Sequence, residues 1–258
     1  MRCVECTRSP SPPNERPTRM IPRRIVLLHG FTQGGAIWVP VMEAITTRAP
    51  IDAPDLPGHG SATNVATGLA DTASDLAQRY GKSAYVGYSM GGRVALHLAL
   101  ARPELVSHLV LCSTTAGIDD PDERRRRRTA DDALAAHLRT VGVDTFLTEW
   151  LAQPMFASLT VTKHDAEVRA SNTAEGLATS LECAGTGTQE ALWDMLHTLD
   201  MPVLVVTGER DDKFAALGRR LVECIGDNAR HVEVPGAGHA LPFERTTDFA
   251  ALLSAFLR

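Results

Sequence analysis

The chain has 258 residues, with 44% hydrophobic residues, 22% charged residues and a formal net charge of −5. These are ordinary globular values and argue against wholesale disorder, while the acidic balance argues against a general nucleic-acid binder. No apolar run approaches the roughly 18 residues of a membrane span, so no membrane insertion is expected.

Residues 1–20 stand apart. The segment RSPSPPNERPTR (8–19) is Pro-rich, polar and free of aliphatic side chains. It cannot bury enough apolar surface to order itself, so a disordered tail is expected. It lacks the apolar core of a secretory signal, and a cytoplasmic protein is expected. Met20 is a second candidate start. Cys3, Cys6, Cys112, Cys183 and Cys224 form an odd, scattered set, which fits reduced thiols rather than a disulfide framework. Cys3-Val-Glu-Cys6 has no second pair, which argues against a redox or zinc role.

From residue 25 onward, strand, turn and helix alternate. Residues 25–28 are an apolar strand ended by His29-Gly30, and 38–45 have helical spacing. A brief strand at 51–54 leads into Asp55-Leu-Pro-Gly-His-Gly60. A helix over 69–80, a strand over 84–88, a helix over 91–101 stopped by Pro103, and a continuous apolar strand over 106–112 follow. After the middle of the chain come a strand at 203–207, a helix over 216–225, a strand at 231–234 and a helix over 249–257. This alternation predicts an α/β domain over 21–258, with a mostly parallel sheet and helices on both faces. Residues 117–200 break the rhythm. They have helical periodicity at 134–138, 146–151 and 177–181 and no convincing strand. They read as a helical cap insertion, the alternative being two crossover helices with long loops.

Gly87-Tyr-Ser89-Met-Gly91 lies between an apolar strand and a helix. This is G-x-S-x-G in the setting of a nucleophile elbow, where a sharp turn lifts the serine Oγ out of the sheet. A serine hydroxyl needs a base, and nine histidines compete for that role. His239, in Gly236-Ala-Gly-His239 after the last strand, fits the chain order Ser…Asp…His. The orienting acid should follow the preceding strand, in Gly208-Glu-Arg-Asp211. Asp211 and Asp212 are both available, and the spacing from Gly208 favours Asp211. The oxyanion N–H groups are expected from Met90, after the nucleophile, and from Phe31, in the loop after the first strand. His29 and His59 read as supports of their loops.

The chain is similar to the α/β-hydrolases, and within them it resembles the 2-succinyl-6-hydroxy-2,4-cyclohexadiene-1-carboxylate synthases of menaquinone biosynthesis. The likeness runs from about residue 25 to the C-terminus. It is carried by LHGFTQGG (28–35), GYSMGGRVALHLAL (87–100), WLAQPMFASL (150–159), Arg169-x-x-Asn172, GTGTQEALW (185–193) and GERDDKF (208–214). The resemblance implies a carbon–oxygen lyase that eliminates pyruvate from 2-succinyl-5-enolpyruvyl-6-hydroxy-3-cyclohexene-1-carboxylate. It implies a small carboxylate substrate, no cofactor and no metal. Arg127 and Arg169 match the family's cap arginines, Arg93 sits one turn after Ser89, and Tyr88 and Trp150 match its pocket residues. Bidentate pairing with carboxylates is the physical reason for arginine there. The other reading of the run Arg124 to Arg128 is a solvated helix face. Pro242 stands where the family often has a second histidine, and Leu181-Glu182 where a Leu-Arg pair is frequent. The rival function is a serine esterase or carbon–carbon bond hydrolase working with the same triad on a small carbonyl compound.

Overall fold

The computed structural model describes residues 21–258; the expected tail, Cys3 and Cys6 lie outside them. Six strands form one sheet: β1 (Ile25–Leu28), β2 (Ile51–Asp52), β3 (Ser83–Tyr88), β4 (Val106–Cys112), β5 (Val203–Gly208) and β6 (Ala229–Val234). Their spatial order is β2-β1-β3-β4-β5-β6, and every pairing is parallel. The strands of the middle of the sheet are continuous apolar runs because both faces are covered.

The period of two sorts each strand onto two cores. Val26, Leu28, Tyr85, Leu109, Leu111, Val203 and Val205 face one side. There they meet α2 (Leu69–Tyr80), α3 (Met90–Ala101) and α7 (Asp212–Ile225). Ile25, Leu27, Val86, Val110, Leu204 and Val206 face the other. They meet α1 (Val39–Ala44) and α9 (Thr246–Phe256). The helix of residues 216–225 begins four residues earlier than its apolar spacing suggested. The reason is a cap: the Asp211 side chain accepts from Phe214 N at 3.3 Å and starts α7 at Asp212. Conversely, the strand expected over 51–54 is only two residues long, since Pro54 has no N–H to give a ladder.

The segment between β4 and β5 is helical, as its periodicity predicted. It holds α4 (Pro121–Leu151), α5 (Lys163–Ala170) and α6 (Ala174–Ala184). The stretches 134–138 and 146–151 are parts of one long element, α4, which bends at Gly142 with φ 77°. Asp120, Thr162 and Thr173 cap the three helices by accepting from Glu123 N, Asp165 N and Gly176 N. These helices share a third apolar cluster of Ala135, Leu138, Phe146, Leu177, Ala178 and Leu181. Glu182, at the departure from the family's Leu-Arg pair, is bonded to Arg139, which also holds Glu175. No helix among the described residues is long and apolar enough to cross a membrane.

Candidate active site

Ser89, Asp211, His239 and the loop over residues 30–33 all follow the carboxyl ends of strands β3, β5, β6 and β1. Crevices at that end are the usual ligand sites of parallel sheets. Ser89 is the turn between β3 and α3, with φ 50° and ψ −109°. That left-handed conformation is strained for a residue with a Cβ. Its surroundings enforce it: Ser89 N donates to Cys112 O at 2.9 Å, and Thr114 Oγ1 donates to Ser89 O at 2.7 Å. The flanking glycines are required by close approach. A Cβ on Gly91 would stand 2.2 Å from Leu28 O, and one on Gly87 2.3 Å from Gly91 O.

His239 is 2% exposed. Its Nδ1 lies 2.7 Å from Asp211 Oδ2, and its Nε2 lies 3.4 Å from Ser89 Oγ. The carboxylate fixes the tautomer, leaving Nε2 as the acceptor that faces the serine hydroxyl. Asp212 is exposed, in the first turn of α7, so the aspartate in contact with His239 is Asp211, the one its spacing from Gly208 favoured. Glu244 was not singled out from the sequence. Its carboxylate accepts from Gly238 N at 2.6 Å and Ala240 N at 3.0 Å, and so clamps the backbone on both sides of His239.

A cavity of about 470 Å³ opens beside Ser89 and His239. Phe31 and Met90 line it, and neither backbone N–H is engaged in a hydrogen bond among the described residues. The loop that carries Phe31 is held from below. His29 accepts from Leu56 N at 2.9 Å and donates to Gly30 O; His59 accepts from Thr32 N and donates to Pro57 O. Burial pushes His29 down to about 4 and His59 down to about 3, so both are neutral supports at pH 7.

Arg93, Arg127, Arg169, Tyr88 and Trp150 all line the same cavity. The lining carries four cations, counting Lys213, and one carboxylate, Asp131. Arg127 Nε pairs with Asp131 at 2.7 Å, and Asp131 also accepts from Gly187 N. The other arginines of the run turn away: Arg125 pairs with Asp122, and Arg128 with Asp132. Arg169 pairs with buried Asp165 at 2.8 Å and donates to Thr32 Oγ1. Asn172 donates to Thr32 O and Gln33 O, which explains the Arg169-x-x-Asn172 spacing: one helix end grips the loop that carries Phe31. Arg93 differs from both. It is 7% exposed and has no carboxylate partner among the described residues, only Gly185 O at 3.3 Å. Burial, and the charge of Arg127, push it down to about 10. Tyr88 is buried, and burial pushes its hydroxyl well above the ordinary tyrosine range, so it remains a neutral donor.

Sequence reasoning passed over Gln33, Gln153, Thr114, Phe156 and Phe214, which also line the cavity. Gln33 and Gln153 lay inside motifs quoted for family likeness. Their amides carry no charge pattern or spacing that would have singled them out. Phe214 packs on the His239 ring at a centroid distance of 4.4 Å. Among the described residues no group of three or more His, Cys, Asp or Glu could hold a metal ion.

The alpha/beta hydrolase family model matches residues 25–252. A Bacillus subtilis (strain 168) protein, provisionally named a 2-succinyl-6-hydroxy-2,4-cyclohexadiene-1-carboxylate synthase, is 35% identical over 247 residues. The match covers 90% of this chain and 89% of that protein. An Enterobacter sp. (strain 638) protein of the same name, without the qualification, is 32% identical over 242 residues, 91% of each chain. Among solved structures, that of MenH from S. aureus superposes with a TM-score of 0.84 at 29% identity. It covers 91% of this chain and 93% of its own.

Proposed function

This chain belongs to the alpha/beta hydrolase family, and on that premise we propose that it is a carbon–oxygen lyase. The reaction is elimination of pyruvate from 2-succinyl-5-enolpyruvyl-6-hydroxy-3-cyclohexene-1-carboxylate to give 2-succinyl-6-hydroxy-2,4-cyclohexadiene-1-carboxylate, a step of menaquinone biosynthesis. The observation that carries this reading is the charge of the cavity. Four cations and one carboxylate line it; Asp131 pairs with Arg127 and buried Asp165 with Arg169, which leaves Arg93 buried without a paired carboxylate among the described residues. A neutral ester gives such a cavity nothing to pair with, whereas a tricarboxylate supplies the missing anions. The activity name borne by the relatives supports it.

In this reading Ser89 is the base. Its proton passes to His239 Nε2, and Oγ takes the proton from ring carbon 2, beside the succinyl carbonyl. The 3.4 Å Ser89–His239 contact is long for a proton transfer, and in this reading it shortens when substrate is bound. The electron pair of that C–H bond moves onto the carbonyl oxygen, where the N–H groups of Phe31 and Met90 meet the negative charge. It returns as a 2,3 double bond, the ring double bond shifts to 4,5, and the bond from carbon 5 to the enolpyruvyl oxygen breaks. Enolpyruvate takes the imidazolium proton and leaves as pyruvate. No acyl-enzyme forms and no water is consumed. Asp211 holds the imidazole tautomer and stabilises the imidazolium.

The test uses two substrates. Arg127→Ala and Arg169→Ala are each expected to lower kcat/KM for the tricarboxylate about 10- to 100-fold, the worth of one charge-assisted hydrogen bond. Any hydrolysis of p-nitrophenyl acetate should change less than about twofold. Equal losses on both substrates would contradict carboxylate binding. Fast ester hydrolysis by the wild type with no pyruvate release would promote the esterase reading.

A further inference from the structure

Gln33 is the cavity group with the least explained position. It is 1% exposed, yet its Nε2 has no hydrogen-bond partner among the described residues. Its orientation is fixed, because Oε1 accepts from Gly30 N at 2.9 Å. The amide can turn over only by breaking that bond and setting two N–H donors against the Gly30 N–H. The backbone is fixed as well, since Gln33 O accepts from Asn172 Nδ2. A buried donor left unpaired is costly, so natural structures seldom keep one without a ligand to meet it. Gln33 lines the cavity, as does Trp150, whose Nε1 is likewise buried and unpartnered.

The neighbouring cation sharpens the point. Arg169 spends Nε on Asp165 and Nη1 on Thr32 Oγ1, which leaves Nη2 without a partner among the described residues. Its charge is already offset by Asp165. An anion on this side of the cavity would therefore be held through hydrogen bonds more than through net charge. The Arg93–Arg127 wall works the other way, with Arg93 paired to no carboxylate among the described residues.

We infer that Gln33 is a substrate-binding residue: its Nε2, in the cavity that Arg169 also lines, donates to one carboxylate of the substrate. This rests on the carboxylate-binding part of the proposed function. It does not depend on whether the bound molecule is then eliminated or hydrolysed.

Gln33→Glu is the informative substitution. It keeps an oxygen for the Gly30 N–H and replaces the free donor with a carboxylate oxygen. Gln33→Met removes the donor without adding charge. The probe is 2-succinylbenzoate, a stable aromatic dicarboxylate of similar shape, titrated calorimetrically into wild type and both variants of the full chain. Gln33→Met is expected to raise Kd about 10-fold, and Gln33→Glu about 100-fold, since it adds repulsion to the lost hydrogen bond. Melting temperatures within a few degrees of wild type show that the loop is intact. In the pyruvate-release assay the loss should fall mainly on KM, whereas a merely structural role would lower kcat. Equal Kd values in all three proteins, or no binding by the wild type, would overturn the assignment. Failure of pyruvate release with the Kd series intact would remove the lyase reading and leave Gln33 as a carboxylate-binding residue.

Discussion

Arg93→Met is expected to make the free protein more stable and less active at once. Arg93 is almost fully buried, and burial holds it at about 10, well below an ordinary arginine. At 1.36 kcal/mol per unit, that depression corresponds to roughly 3 kcal/mol by which burial disfavours the charge. Methionine keeps an unbranched apolar stem in the same space and carries no charge. The lost bond to Gly185 O, long at 3.3 Å, was worth about 1 kcal/mol at most. The net gain is therefore about 2 kcal/mol, or about 4–8 °C in Tm for a domain of this size. The sign with pH follows. Arg93 is charged in both folded and unfolded chains below about 10, so the gap between variant and wild type is constant from pH 6 to 9. It closes as pH rises above about 10 towards the range of an ordinary arginine, where the wild type sheds the buried charge. Scanning calorimetry of ligand-free protein reads the stability, and pyruvate release reads a loss in kcat/KM of about 100-fold. A fall in Tm together with unchanged kcat/KM would refute the reasoning: Arg93 would then be a structural side chain and not a waiting counterion.

Ser89→Ala should abolish turnover and leave Tm within a few degrees, because the strained turn is held by its neighbours; residual activity above about 1% would place the base elsewhere. Asp211→Asn should lower kcat by about 10⁴-fold through the wrong imidazole tautomer, while Asp212→Asn, exposed beside it, should change kcat less than about threefold. The reverse ranking, read by steady-state kinetics, would contradict the observed contact. Acid should weaken the fold through His29 and His59, which stay neutral when folded but protonate near 6.5 when unfolded. The unfolded chain then binds more protons, so stability present above 6.5 is lost as pH falls towards 4, by about 1.4 kcal/mol per pH unit for each histidine. Urea midpoints at pH 7.5, 6.5 and 5.5 measure this, and a flat series would contradict it.

Much of the fold is written in local patterns. The apolar run of β4 and the amphipathic period of α2 have the bounds their residues suggest, because burial on both faces and on one face leave different periods. Two of the features that local pattern missed are set by single capping contacts. The early start of α7 depends on one aspartate side chain, and α5 is a short polar helix begun by Thr162. The contacts among Ser89, His239 and Asp211 were legible because the G-x-S-x-G turn needs small residues at fixed offsets and the expected partners follow fixed strands. The contacts of Gln33 and Glu244 were not. Gln33 and Glu244 act through where their amide and carboxylate point, a property of the folded loop that residue type and spacing do not encode. The arginine run shows the same limit: the helical period puts every fourth residue on one face, but only the structure turns Arg127 to the cavity and Arg125 and Arg128 to solvent partners.

The central claim is that this cavity eliminates pyruvate from a tricarboxylate. The direct measurement supplies purified full-length protein with 2-succinyl-5-enolpyruvyl-6-hydroxy-3-cyclohexene-1-carboxylate. Pyruvate is followed through coupled reduction, and the conjugated diene product through its ultraviolet absorbance. The account predicts equimolar pyruvate and diene, released at a rate proportional to enzyme and lost in Ser89→Ala. No release above the uncatalysed rate, with the same preparation hydrolysing neutral esters rapidly, would contradict it.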